Sequence, residues 1–317
     1  MASRYQLSVE MQSFVKQCAL FQPADDSLSE MRVAYDALCR YFTPPLPAGL
    51  QVTELALPVA GRAIPLRLYR PAADRPPAGW PCVLYLHGGG WMLGGLDSHV
   101  VIAAPLALQC AAAVLVVDYR LAPEHAFPAA FEDCLAVWDA LRLDGLGLGI
   151  DTARVVVAGD SAGGNLAAAL CLAARGRPGP PLCGQALLYP ALAAVPTEPA
   201  ASEHADAPLL SRADMRYYLE QYAADPALHA DPRLAPLAAG DLSALPPAFV
   251  AVAEYDPLRD DGLLYVQRLR AQGIAAECHV GHGLLHGCLR FWPQGRETAR
   301  MYQALRDAIR RMLAAQP

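Results

Sequence analysis

The chain has 317 residues, 54% hydrophobic and 18% charged, a balance that speaks against disorder and for a well-buried globular core. Its net charge of −6 and pI near 5.7, with no basic stripe, argue against a nucleic-acid partner. Nine scattered cysteines, none in a CxxC pair, give neither a zinc nor a redox signature. Most lie in apolar runs and fit the reduced thiols of a cytoplasmic protein, with a single disulfide as the other reading.

Residues 1–21 carry polar side chains every few positions and no continuous apolar run, so they do not read as a signal peptide. Helical patterns are expected over 8–20 and 28–41, the second stopped by Pro44-Pro45. Two short runs, 53–58 and 64–69, flank Val59-Ala60-Gly61-Arg62 as a β-hairpin and form an antiparallel edge. Strand-like segments at 82–86, 114–118, 154–158, 185–189, 248–253 and 275–280 then alternate with helical segments at 98–112, 127–143, 164–175, 258–272 and 295–314. Continuous apolar strands between helices predict an α/β fold: a mostly parallel eight-stranded sheet covered on both faces. The longest apolar stretch, 100–117, approaches membrane-span length, but Pro105 and Gln109 divide it. A buried helix followed by a buried strand explains it, without stable membrane insertion.

Residues 191–236 interrupt the alternation, with abundant Pro, Ala and charge and one helical stretch near 211–223. A long insertion after a strand's carboxyl end, where open α/β sheets bind ligands, predicts a cap; a surface excursion without function is the alternative. The expected organisation is cap helices at 1–45, a catalytic body at 46–190 and 237–317, and a cap insertion at 191–236.

Gly159-Asp160-Ser161-Ala162-Gly163 matches GxSxG, which arises by chance in about one chain of this size in twenty. Its position between a strand and a helix raises its weight. A turn that sharp strains the serine backbone and demands small neighbours. His87-Gly88-Gly89-Gly90-Trp91 also follows a strand, and HGGG arises by chance in roughly one such chain in three hundred. Three glycines let backbone N–H groups face a ligand, as an oxyanion hole requires. A phosphate loop is the weaker reading, since no Lys-Ser/Thr or GxGxxG phasing accompanies it. Trp91 is a candidate wall of the acyl or alcohol pocket, with a core role as the alternative.

An acid and a base are then expected after later strands. Asp256 follows the run 248–253 and precedes Pro257; helix capping is its alternative role. Glu254 is the competing acid, whereas Asp260 and Asp261 fall in the next helix's first turns, where acids serve the dipole. His286 follows the last strand, with His279 and His282 as competitors. The order Ser161, Asp256, His286 is that of the α/β-hydrolase triad.

HGGGW at 87–91, YRLAPEHAFPAAFED at 119–133, GDSAGG at 159–164, AEYDPLRDDG at 253–262 and HG at 286–287 together resemble the hormone-sensitive-lipase family. Within it the resemblance is to bacterial esterases of the GDSAG type. It implies the α/β-hydrolase fold with a helical cap, a triad of Ser161, Asp256 and His286, and an oxyanion hole from Gly89, Gly90 and Ala162, with Gly88 shaping the same turn. It further implies hydrolysis of short- to medium-chain acyl esters without a cofactor or metal, and, since members of the family often dimerise, a homodimer. Amide hydrolysis or dehydration on the same scaffold, or a non-catalytic ligand-binding relative, are the alternatives. Cys288 departs from the phenylalanine that many relatives carry after HG. The 119–133 stretch reads as structural, and Glu132 and Asp133 are assigned no chemistry.

Overall fold

A computed structural model describes residues 4–59 and 61–315. Ala60, in the expected hairpin turn, lies outside them, as do the first three residues of the N-terminal segment. Eight strands form one sheet: β1 (Leu50–Val59), β2 (Arg62–Pro71), β3 (Trp80–Leu86), β4 (Ala113–Val117), β5 (Ile150–Asp160), β6 (Gly184–Leu188), β7 (Ala248–Tyr255) and β8 (Ala276–Leu285). Their order is β1-β2-β4-β3-β5-β6-β7-β8. Only β2 runs against its neighbours: it pairs antiparallel with both β1 and β4, and every later pairing is parallel.

The helices are α1 (Val9–Cys18), α2 (Leu28–Phe42), α3 (Val100–Gln109), α4 (Ala129–Asp144), α5 (Ala162–Ala174), α6 (Ala200–Glu203), α7 (Arg212–Tyr222), α8 (Arg259–Ala271) and α9 (Arg296–Ala314). Side chains alternate across the sheet, as the two-residue period of a strand dictates. Leu84 and Leu86 join one core with Cys134 of α4, Leu166 of α5 and Tyr265 of α8. Val83 and Tyr85 join the other with Val101 of α3 and Met301 and Tyr302 of α9. The apolar 100–117 stretch resolves into α3, with Pro105 inside it, and the fully buried β4. No helix among the described residues is long and apolar enough to cross a membrane.

Most strands outrun their sequence signals, and two of the extensions place the site. β5 continues to Asp160, directly against the nucleophile candidate, and β8 continues to Leu285, directly against His286. Glycines and histidine in GHG weaken the strand pattern of β8, but pairing with β7 carries it through, tertiary context overriding propensity. In the insertion, α7 begins with a capping box in which Ser211 and Asp214 satisfy each other's backbone N–H groups. The short α6 had no visible sequence signal.

Candidate active site

Sheet register gathers the site. Leu86 of β3 pairs with Gly159 of β5, so the HGGG loop and the Asp160-Ser161 turn leave the sheet side by side. Tyr255 of β7 pairs with Leu285 of β8, so the next residues, Asp256 and His286, emerge as neighbours. Side chains 125 positions apart in sequence therefore meet: His286 Nε2 lies 2.9 Å from Ser161 Oγ. His286 Nδ1 lies 2.7 Å from Asp256 Oδ2, and the fully buried Asp256 takes the Leu258 N–H on Oδ1 at 2.8 Å. The Oδ1 bond closes a two-residue turn ahead of α8, whose N-cap is Leu258, so Asp256 pairs with histidine through one oxygen and shapes that turn with the other rather than capping the helix. The Tyr189 ring packs against the imidazole, centroids 4.8 Å apart.

The rival side chains lie elsewhere. Glu254 accepts the Gly283 N–H at 2.7 Å and lies 3.5 Å from His282, which is 79% exposed. His279 is held within β8. Asp260 and Asp261 do more than face the helix dipole. Asp261, fully buried, accepts the N–H groups of Leu192, Ala193 and Thr197 at 2.8–3.0 Å, and Asp260 accepts that of Ala200. Asn165 of α5 donates to Ala191 O and Leu234 O, both at 2.7 Å, fastening the two ends of the insertion. Asp261→Ala would strand the buried Leu192 amide at about 1–3 kcal/mol and leave the half-buried Ala193 and Thr197 amides without their acceptor at a smaller cost. The expected result is a loosened insertion, seen as faster hydrogen exchange over 192–200 and a lower melting temperature; unchanged exchange there would contradict the anchoring role.

Ser161 sits at φ 54°, ψ −120°, outside the regions ordinary residues favour, between β5 and the first residue of α5. What holds it there is close packing of the flanking backbone: a Cβ on Gly163 would collide with the carbonyl oxygens of Leu86 and His87. The amides of Gly89, Gly90 and Ala162 have no acceptor among the described residues. Gly88 differs. Its N–H donates to Asp160 Oδ1 at 3.0 Å, so it cannot serve as an oxyanion donor and belongs to the turn alone. Gly90, at φ +59°, lies directly under the Tyr218 ring of α7, where a Cβ would fall 2.6 Å from ring carbons.

Beneath this loop lies a polar network the sequence did not reveal. Besides Gly88, Asp160 Oδ1 takes the Tyr85 hydroxyl at 2.9 Å, while Oδ2 lies 3.1 Å from His99 Nε2. His99 Nδ1 is 2.8 Å from Ser98 Oγ, which donates to Gly95 O. Burial opposes ionisation of Asp160, but His99, Arg290 and the Tyr85 hydrogen bond outweigh it and hold the carboxyl below its usual range. Burial lowers both neighbouring histidines, His87 to about 4, leaving it a neutral ring whose Nδ1 lies 2.9 Å from Gly88 O. The Tyr119 hydroxyl donates to His87 O at 2.6 Å and its ring stacks on the imidazole.

Ser161 and His286 open on a cavity of about 190 Å³, walled by Phe14 and Cys18 of α1, Tyr35 and Leu38 of α2, and Met215 and Tyr218 of α7. Trp91 lines this cavity, yet it is 3% exposed and stacks on Tyr222, rings 4.7 Å apart. Cys288 packs into the core on the α9 side of the sheet. All nine cysteines are free thiols, which removes the single-disulfide reading. Asp133, fully buried, pairs with Arg62 and Arg120, a structural task in keeping with its sequence reading.

The family described as alpha/beta hydrolase fold matches residues 83–290. The chain belongs to this family. It is 43% identical over 293 residues to the carboxylesterase NlhH of Mycobacterium tuberculosis, covering 88% of this chain and 90% of that protein. It is 38% identical over 242 residues to the ethyl acetate hydrolase of Pseudomonas putida, covering 75% and 76%. The structure of a hyperthermophilic esterase from the archaeon Pyrobaculum calidifontis superposes with a TM-score of 0.89 at 35% identity, covering 98% and 99% of the two chains. The resemblance to hormone-sensitive-lipase-type esterases drawn from the motifs therefore holds, as does the predicted eight-stranded fold.

Proposed function

We propose that the chain is a serine carboxylesterase that hydrolyses short- to medium-chain acyl esters through an acyl-enzyme, with Ser161 as nucleophile. The observation that carries this reading is the unbroken relay from Asp256 through His286 to Ser161, 2.7 and 2.9 Å long, ending in the cavity. His286 Nε2 accepts the Ser161 proton as Oγ attacks the ester carbonyl, and then returns that proton to the leaving alkoxide. Asp256 Oδ2 holds Nδ1–H, fixing the tautomer and stabilising the imidazolium. The amides of Gly89, Gly90 and Ala162 receive the oxyanion, and the positive end of α5 adds to their field. Water then repeats the sequence on the acyl-enzyme.

In this reading residues 1–45 and 191–236 form a cap over a body of residues 46–190 and 237–317. Supporting it, Phe14, Tyr35, Met215 and Tyr218 enclose the cavity from these two segments. The substrate is a small-molecule ester. A cavity of about 190 Å³ falls below the roughly 300 Å³ at which pockets for drug-sized ligands begin, which favours short acyl groups. The named activity of the Pseudomonas putida relative points the same way.

Two measurements test the proposal. A fluorophosphonate probe should label one residue, and peptide mapping should identify it as Ser161; a labelled protein with Ser161 unmodified refutes the assignment. Across p-nitrophenyl esters from acetyl to palmitoyl, kcat/KM should peak at short chains and collapse at long ones. A maximum at palmitoyl would mark a true lipase instead.

A further inference from the structure

Arg290 stands four residues beyond His286, in the turn Cys288–Phe291, and lines the same cavity as Ser161. It is 8% exposed. One terminal nitrogen, Nη1, donates to Cys39 Sγ at 2.9 Å and to Ser98 O at 3.1 Å; the other, Nη2, donates to the Tyr35 hydroxyl, and the guanidinium lies 4.7 Å from the Tyr35 ring centroid. A guanidinium offers five N–H groups. The Nε–H and one Nη2–H are left without an acceptor among the described residues, and no carboxylate forms an ion pair with Arg290 there. Asp160 is close enough to feel its charge, but its two oxygens are occupied by Gly88, Tyr85 and His99.

Much of the remaining wall is apolar, including Phe14, Leu38, Leu93, Leu210 and Met215. A cation in such a place keeps its desolvation cost until its donors are met. A plain alkyl chain would cover those N–H groups without satisfying them. A substrate oxygen would satisfy them through a charge-assisted bond. Sites built around a polar partner discriminate strongly against analogues that lack it.

We infer that Arg290 is a specificity determinant that selects esters carrying a second oxygen acceptor, a ketone or a carboxylate, in the part of the substrate occupying this cavity. This rests on the esterase reading above and narrows its substrate class. No bond beyond the ester is made or broken; the effect is recognition alone.

The experiment compares matched p-nitrophenyl esters: pentanoate with 4-oxopentanoate, hexanoate with 5-oxohexanoate, and the monoesters of succinate and glutarate. Each kcat/KM is divided by the ester's hydroxide-catalysed rate, which removes intrinsic reactivity. The wild-type enzyme should prefer at least one oxygenated ester over its alkyl partner by about tenfold or more, and Arg290→Met should bring that ratio near one. If the monoesters outrun the oxo esters, the site reads carboxylates; if they trail them, it reads neutral carbonyls. Wild-type ratios at or below one for every pair overturn the inference, as does a high ratio that Arg290→Met leaves unchanged. Arg290 also braces α2, and loss of that brace alone would slow both esters equally and leave the ratio intact. Should Arg290→Met fail to fold, Arg290→Lys retains the charge but lacks Nε–H and the planar fork, and should lower the ratio several-fold. If the wild-type enzyme hydrolyses the alkyl esters without preference, only this inference falls; if it hydrolyses none of the esters, the esterase reading falls with it.

Discussion

Ser161→Ala should lower kcat for p-nitrophenyl butyrate by about 10⁴–10⁶-fold, while the protein keeps its fold. Oγ is the atom that His286 Nε2 faces at 2.9 Å, and nothing else in the relay can take its place. Alanine meets the same backbone demand at φ 54° and removes one small polar atom at the cavity wall, so stability should stay within about 1 kcal/mol, roughly 2–4 °C in melting temperature. His286→Ala should give a loss of the same order rather than a multiplied one when the two are combined, because the residues act as a unit. Residual hydrolysis above the uncatalysed rate is expected from the oxyanion amides and the cavity alone. Steady-state kinetics with thermal unfolding of both variants decides the matter. Turnover within tenfold of wild type in either, with the fold intact, would remove the proposed nucleophile or base.

The parts of this site legible in the sequence share a physical cause. Ser161, His87 and the glycines sit at abrupt strand-to-loop transitions, where backbone geometry forces small residues and leaves a written motif. Asp256 and His286 were legible through their place after apolar strands and their order in the chain. Their contact, however, depends on the pairing of Tyr255 with Leu285, which no local pattern encodes. The strand ends at Asp160 and Leu285 were hidden for a related reason, since charge and glycine there contradict strand propensity while inter-strand bonds supply what propensity lacks. Asp261 looked like a helix-dipole acid because its partners Leu192, Ala193 and Thr197 lie 64–69 positions away. Arg290 carried no signal at all: its meaning comes from Cys39 and Tyr35, 251 and 255 positions away, and from the cavity it lines. The exclusion of Gly88 as a donor likewise needed the Asp160 carboxylate to be seen beneath it.

Asp160→Ala should be the most damaging substitution outside the triad, and Asp160→Asn should be far milder. The alanine variant leaves three buried donors unmet: the Gly88 N–H, the Tyr85 hydroxyl and the His99 ring nitrogen. At about 1–3 kcal/mol each, their sum rivals the 5–15 kcal/mol that typically holds a domain together, so expression of folded protein should fall sharply. Whatever folds should show reduced kcat, since the Gly88 N–H is, among the described residues, the only hydrogen bond between the Asp160 carboxylate and the loop that bears the Gly89 and Gly90 amides. Asparagine can keep the network closed. Its oxygen receives the Gly88 and Tyr85 donors, and its amide can donate to His99 Nε2 if the ring changes tautomer and gives its Nδ1–H to Ser98 Oγ, which already donates to Gly95 O. What is lost is the charge, and with it the stronger carboxylate bonds and the field felt by Arg290. The carboxyl of Asp160 is held below its unfolded value of about 3.9. Its ionisation therefore stabilises the fold above that pH, and the contribution drains away as the pH falls through the lower, folded-state value. Urea unfolding should accordingly show wild type more stable than Asp160→Asn at neutral pH, with the gap closing below about pH 4. A gap that widens in acid, or an asparagine variant as crippled as the alanine one, would mean that Asp160 does not hold the oxyanion loop in the way its hydrogen bonds indicate.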